Sequence, residues 1–79
     1  MVEVKYTPTA ADLERLDRDF VYHAPKPDQL PRYEEIRAMG KIFAALIIQY
    51  CPDSREKSLA LTKLEEACFW ANASIARNE

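Results

Sequence analysis

The chain has 79 residues, of which 48 % are apolar and 30 % charged, with a formal net charge of −2. That balance describes a folded protein rather than a disordered one, and the negative charge disfavours a general affinity for nucleic-acid polymers. The opening Met-Val-Glu-Val-Lys does not read as a signal peptide and no apolar run approaches the ~18 residues of a membrane span, so a cytoplasmic protein without a membrane partner is expected.

Residues 1–8 alternate apolar and polar at Val2, Val4 and Tyr6, as either a short extended arm or a loose tail would. Thr9 then precedes AADLERLDRDF, a short helix by its signals. Thr9 can cap it, Asp12 and Glu14 suit a helix N-terminus, and Leu13, Leu16 and Phe20 share one face. The segment FVYHAPKPDQLPRY cannot be helical throughout. Pro25, Pro27 and Pro31 fix φ and push the residues before them out of helical geometry, so Ala24 to Leu30 is extended or turning. Asp28 is the expected N-cap of the next helix, with Pro31 tolerated in its first turn.

From about Leu30 to Tyr50 the pattern is helical, with Tyr33, Ile36, Gly40, Phe43, Ile47 and Tyr50 recurring at three and four. Cys51-Pro52 ends it. Asp53-Ser54-Arg55-Glu56 reads as a capping box in which Glu56 reaches back to the cap amide. Beyond it Lys57, Leu61, Leu64, Cys68, Ala71 and Ile75 keep heptad spacing. So short a link forces the two long helices antiparallel. The expected fold is all-α and forms one domain over 1–79. An arm, a short helix and a Pro-rich loop occupy 1–32, and an antiparallel helical hairpin occupies 33–79.

Both long helices carry apolar residues away from this seam, including Met39, Leu46 and Ile48 on the first and Leu59, Phe69 and Trp70 on the second. A chain this short is marginal without disulfides, a metal or partner chains. Two cysteines are no disulfide framework, and a single histidine without paired cysteines gives no metal site. Association remains, so a homo-oligomer is expected, and no cofactor.

Catalysis needs a nucleophile with its base, a carboxylate pair in a cleft, or a metal. His23 has no evident Ser or Cys partner and reads more simply as a loop imidazole bonded to backbone or stacked on a ring; no enzyme is expected. Binding has better material. Tyr22, His23 and Tyr33 offer flat faces, and Lys26, Arg32, Arg37 and Lys41 offer charge beside them. Arg37 and Lys41 lie four apart on one helix face with Tyr33 a turn earlier. Rings stack on bases and cations hold phosphates, which is what a nucleotide requires. The bland alternative is that the tyrosines pin the loop and the cations solubilise. Ser54 and Arg55, at a helix N-terminus, could meet an anion. Asn72, in an otherwise apolar stretch, is either a buried partner for a loop carbonyl or a ligand contact.

The runs YEEIRAMGKIFAALI and CPDSREKSLALTKLEEACFWANASIAR resemble the helical hairpin shared by phage anti-CBASS cyclic-oligonucleotide sponges and a Thoeris anti-defence protein. The resemblance spans about residues 20–78 and is strongest after Arg32. It implies a homo-oligomer, typically hexameric, acting in the host bacterial cytoplasm to sequester cyclic nucleotide signals without cleaving them. It also implies pockets between subunits in which a tyrosine stacks on a base and a basic residue of the long helix reaches phosphate. Arg37 matches the basic position and Tyr22 the aromatic one, with Tyr33 as the alternative. A second pocket of that family, for cyclic trinucleotides, uses a threonine and a late arginine. Met39 and the region of Asn72 or Ser74 stand there in this chain, a departure from the pattern.

Overall fold

The computed structural model describes residues 2–79. It contains three helices, α1 (Ala10–Phe20), α2 (Leu30–Tyr50) and α3 (Arg55–Asn78), and no strand among the described residues. Residues 2–9 precede α1 without regular structure, so their alternation does not become a strand. Met1 lies outside the described residues.

Helices α1 and α3 start at side-chain caps, and α2 does not. Thr9 Oγ1 accepts from the Asp12 amide at 3.1 Å while Asp12 Oδ2 accepts from the Thr9 amide at 2.9 Å, a reciprocal capping box. At α2 the expectation of an Asp28 cap is corrected. Gln29 occupies the cap position, in helical geometry, and makes no forward side-chain cap. Its Oε1 instead turns back to accept from the Lys26 amide at 2.9 Å, and its own amide donates to the Lys26 carbonyl at 3.0 Å. The turn 26–29 is thereby tied twice, and Pro31 falls where no amide is needed. The box expected at α3 is also corrected. Ser54 is the cap, and its hydroxyl accepts from the Lys57 amide at 3.1 Å. Glu56 is then one position too early to close the box, and Lys57 Nζ pairs with Asp53 Oδ1 at 2.8 Å instead.

Between the long helices, Pro52 holds Cys51 extended (φ −116°, ψ 137°) and stops α2. The helices run antiparallel along a seam of half-buried residues: Tyr33, Ile36, Gly40, Ala44 and Ile47 from α2 against Lys57, Leu61, Leu64, Cys68, Ala71 and Ile75 from α3. The α3 side follows the heptad reading. On α2 the reading is wrong in part, because Phe43 (57 % exposed) and Tyr50 (80 %) lie off the seam and Ala44 occupies it. Both cysteines are free thiols, Cys51 exposed at the turn and Cys68 within the seam.

Helix α1 stands beside the far end of α3, held at one point by Arg77 Nε, 3.8 Å from Asp19 Oδ1. Asp19 also meets Arg15 at 3.5 Å and Arg18 at 3.0 Å. The hydrogen bond from Arg18, then the charges of Arg18, Arg77 and Arg15, lower its pKa.

No apolar residue is fully buried among the described residues, and the sole buried side chain is Gln29 at 3 % exposure. The Cα radius of gyration is 18.0 Å, where a compact chain of this length has about 12 Å. The accessible surface is 6990 Å², against about 4,900 Å² for a compact monomer of 9.1 kDa. The excess, about 2,000 Å², is comparable to what stable protein interfaces bury. No helix among the described residues is long and apolar enough to cross a membrane.

Candidate functional site

The Pro-rich loop folds across the open end of the hairpin and makes a cleft of about 490 Å³ there. One wall comes from the loop and the start of α2: His23, Pro25, Leu30, Tyr33, Glu34 and Arg37. The other comes from the last turns of α3: Asn72, Ala73, Ala76 and Arg77.

A second cleft of about 430 Å³ continues along the same side of the hairpin. Arg37 and Asn72 line both and so form the ridge between them; Lys41, Glu65 and Phe69 line the second alone. Tyr33, Arg37 and Lys41 are spaced at i, i+4 and i+8, so they form one row along α2 that serves both clefts. Among the described residues neither Arg37 nor Lys41 takes part in an ion pair. Their charge is available to a ligand.

Asn72 stands out at the ridge. Its Oδ1 is shielded from solvent and has no hydrogen-bond partner. Leaving a buried acceptor unsatisfied costs about 1–3 kcal/mol, so a donor arriving from a ligand would recover that loss. His23 has a local role. Its Nε2 donates to the Arg18 carbonyl at 2.8 Å, satisfying one of the last carbonyls of α1 and standing the ring at the cleft mouth.

The other cations named from the sequence are engaged by the chain itself. Arg32 donates from Nη1 and Nη2 to Glu79 Oε2 and Oε1 at 2.7 and 2.6 Å, and from Nη2 to Asp28 Oδ2 at 3.3 Å. Lys26 Nζ donates to the Glu79 carbonyl oxygen. Tyr22 is 83 % exposed and lines neither cleft. Ser54 and Arg55 lie at the opposite end of the hairpin, about 30 Å away along α2, and the Ser54 hydroxyl is committed to its cap and to the Pro52 carbonyl.

Arg77 was not legible as a site residue. It reaches the cleft wall while its guanidinium lies 6.0 Å from the Trp70 ring. The helical register holds the signal that finds it, since Arg77 lies one turn beyond Ala73 and Ala76 one turn beyond Asn72.

Together these residues supply a ring to stack, the unpaired Arg37 guanidinium and Lys41 ammonium for anionic oxygens, and an amide with a free acceptor, while the Arg77 guanidinium is shared with Asp19. No cluster of His, Cys, Asp or Glu suited to a metal ion occurs among the described residues.

A family model described as the Acb2/Tad1 hairpin domain matches residues 12–76, most of the chain. Neither the curated proteins nor the solved structures provide a significant match.

Proposed function

The chain belongs to the Acb2/Tad1 hairpin-domain family of phage anti-CBASS and anti-Thoeris sponges, and from that premise we propose that it sequesters a cyclic nucleotide immune signal and holds it intact. The observation that carries this reading is the convergence of Tyr33, Arg37 and Asn72 on one cleft from two helices, with Arg77 on its wall. In the proposed complex a base stacks on Tyr33, worth about 1–3 kcal/mol. Arg37 meets a phosphate through charge-assisted hydrogen bonds worth about 1.5–3 kcal/mol. Asn72 Oδ1 accepts from a base amine, and Lys41 extends the cationic row for a ligand that spans the ridge. The ligand classes proposed are cyclic di- and trinucleotides and cyclic ADP-ribose-type signals.

The proposed unit is a homo-oligomer of the 1–79 chain, a hexamer as in the family, acting in the host bacterial cytoplasm. The unpartnered apolar faces and the surface excess support association. In such an assembly the exposed Tyr22 of one subunit is free to complete the cleft of another. No cleavage is proposed, in keeping with the sponge role of the family. Isothermal calorimetry against these three ligand classes tests the reading. Binding of at least one, with the ligand recovered unchanged, is expected. If none binds below about 100 μM (about −5.5 kcal/mol), the sponge reading falls and a helical adaptor binding another protein through its apolar faces takes its place.

A further inference from the structure

Among the described residues, every side-chain hydrogen bond between positions far apart in sequence ends on one residue, Glu79. Its carboxylate takes the two-pronged contact from Arg32 at 2.6 and 2.7 Å and a third donor, Gln29 Nε2, at 3.1 Å. Its carbonyl takes Lys26 Nζ. These donors sit 47 to 53 residues earlier in the chain, in the turn 26–29 and the first turn of α2. The loop's remaining hydrogen bonds are local, reaching five residues at most.

Gln29 is the hinge of this arrangement. It is the one buried side chain among the described residues. Its Oε1 holds the Lys26 amide while its Nε2 holds Glu79, so the shape of the turn and its position over α3 are fixed through the same amide. A lone exposed ion pair does little. A bidentate arginine–carboxylate pair with further donors on the same group is the exception, because its geometry is specific. The Pro25, Leu30 and Tyr33 wall of the cleft hangs from this turn, and the Ala73, Ala76 and Arg77 wall ends at Glu79.

Building on the proposed ligand cleft, we infer that Glu79 is a positioning residue. It clasps the Pro-rich loop to the end of α3 through Arg32, Gln29 and Lys26, and so presets the width of the cleft before ligand arrives. Lys26 and Arg32 thereby have a different task from the one their charge announced. They hold the loop, and Arg37 with Lys41 is left to the ligand. Burying so few groups, the clasp adds little to the hairpin's own stability, which resides in the α2–α3 seam.

The test uses the full chain and two variants, Glu79→Gln and the charge swap Arg32→Glu/Glu79→Arg. Amide exchange is read by NMR without ligand, and affinity is read for cyclic dinucleotides. In Glu79→Gln the Lys26 and Gln29 amides should exchange at least tenfold faster while Leu64 and Cys68 amides stay unchanged, and affinity should drop about tenfold. The charge swap restores the ion pair but leaves Gln29 Nε2 without its acceptor and sets a carboxylate beside Asp28, so it should recover both only in part. Unchanged exchange at Lys26 and Gln29 overturns the clasp, as does a uniform rise across the seam, which would mark a purely structural role. Faster loop exchange with unaltered affinity overturns the positioning of the cleft. If the unsubstituted chain binds no cyclic dinucleotide, the sponge reading has failed for that class, and the exchange data still decide the clasp.

Discussion

A Cβ placed on Gly40 would lie 2.7 Å from Cys68 Sγ, closer than carbon and sulfur can approach. The sole glycine of the chain therefore sits mid-helix where α2 packs directly on the Cys68 side chain of α3. A mid-helix glycine costs about 1 kcal/mol relative to alanine, and here the close crossing offsets that loss. The crossing also sets the register. Going back from Gly40 toward the loop brings Arg37 opposite Asn72, and one turn further brings Tyr33 opposite Ala76.

Gly40→Ala should consequently destabilise the hairpin although alanine is the better helix former. Overpacking of this kind costs about 1–3 kcal/mol, which equals or exceeds the ~1 kcal/mol gain in propensity. Thermal melting should show a lower Tm for Gly40→Ala, and recovery in Gly40→Ala/Cys68→Ala, where the clashing sulfur is gone. The double-mutant cycle isolates the pair. A higher Tm for Gly40→Ala alone would mean that the helices cross further apart than this contact requires.

Asn72 yields a prediction with opposite signs. Its unpaired Oδ1 weakens the free protein and is proposed to strengthen the complex. Asn72→Leu, similar in shape and without the polar atoms, should leave Tm unchanged or raise it, by up to about 1–3 kcal/mol of stability. The same variant should bind ligand at least tenfold more weakly. Denaturation and calorimetry on one preparation check both halves; loss of stability without loss of affinity would assign Asn72 to the scaffold.

The row on α2 separates stacking from charge. Tyr33→Phe keeps the ring and should bind nearly as well as the parent, whereas Tyr33→Ala should lose about 1–3 kcal/mol. Arg37→Ala should lose about 1.5–3 kcal/mol, and Arg37→Lys should recover only part, because an ammonium cannot make the planar two-pronged contact. Calorimetry reads the affinities and light scattering confirms that assembly is unchanged.

Much of this was legible from residue patterns, and the misses have physical causes. The ends of α2 follow from the prolines on either side, and the α3 seam follows from its heptads. The α2 seam was misjudged at Phe43 and Tyr50 because α2 is apolar on nearly every face, so a spacing of three and one of four fit equally well. Tyr33, Arg37 and Lys41 were visible as an i, i+4 row, and Asn72 as a polar residue out of place. Arg77 was not, since a basic residue in a last helical turn ordinarily complements the helix dipole. Nor could the sequence pair Arg32 with Glu79, because no local rule connects positions 47 apart.

Acid should act through carboxyls that are held below their usual range. The hydrogen bonds from Arg32 and then Gln29 lower Glu79 from 4.5 to about 2. Thr9 lowers Asp12, Arg18 lowers Asp19 and Lys57 lowers Asp53. A depressed folded-state pKa means that the unfolded chain binds more protons in this range, so stability rises with pH there. These contributions are complete above the ordinary carboxyl values, about 4 to 4.5, and are lost as pH falls through the folded ones. Helicity followed by circular dichroism should hold steady from about pH 7 to 5 and decline below about pH 4, with the Glu79 contribution going as pH falls toward about 2. Melting between pH 7 and 5 would contradict this assignment.

Trp70, the only tryptophan, reports on assembly. It is 66 % exposed in a single chain, so a monomer should show the red-shifted emission of a solvated indole. If the apolar faces associate as proposed, emission at micromolar concentration should be blue-shifted and move to the red on dilution. Trp70→Ala should then cost about 3 kcal/mol or more of assembly stability, read as a smaller species by light scattering.

An assembled, non-catalytic trap for a cyclic nucleotide has its decisive test in native mass spectrometry. The purified chain is mixed with cyclic di- and trinucleotides and cyclic ADP-ribose isomers, and the released ligand is weighed after heating. A homo-oligomer carrying ligand in stoichiometric amount is expected, with the released molecule at its original mass. A bare monomer across the panel, or a ligand returned heavier by one water, would contradict it.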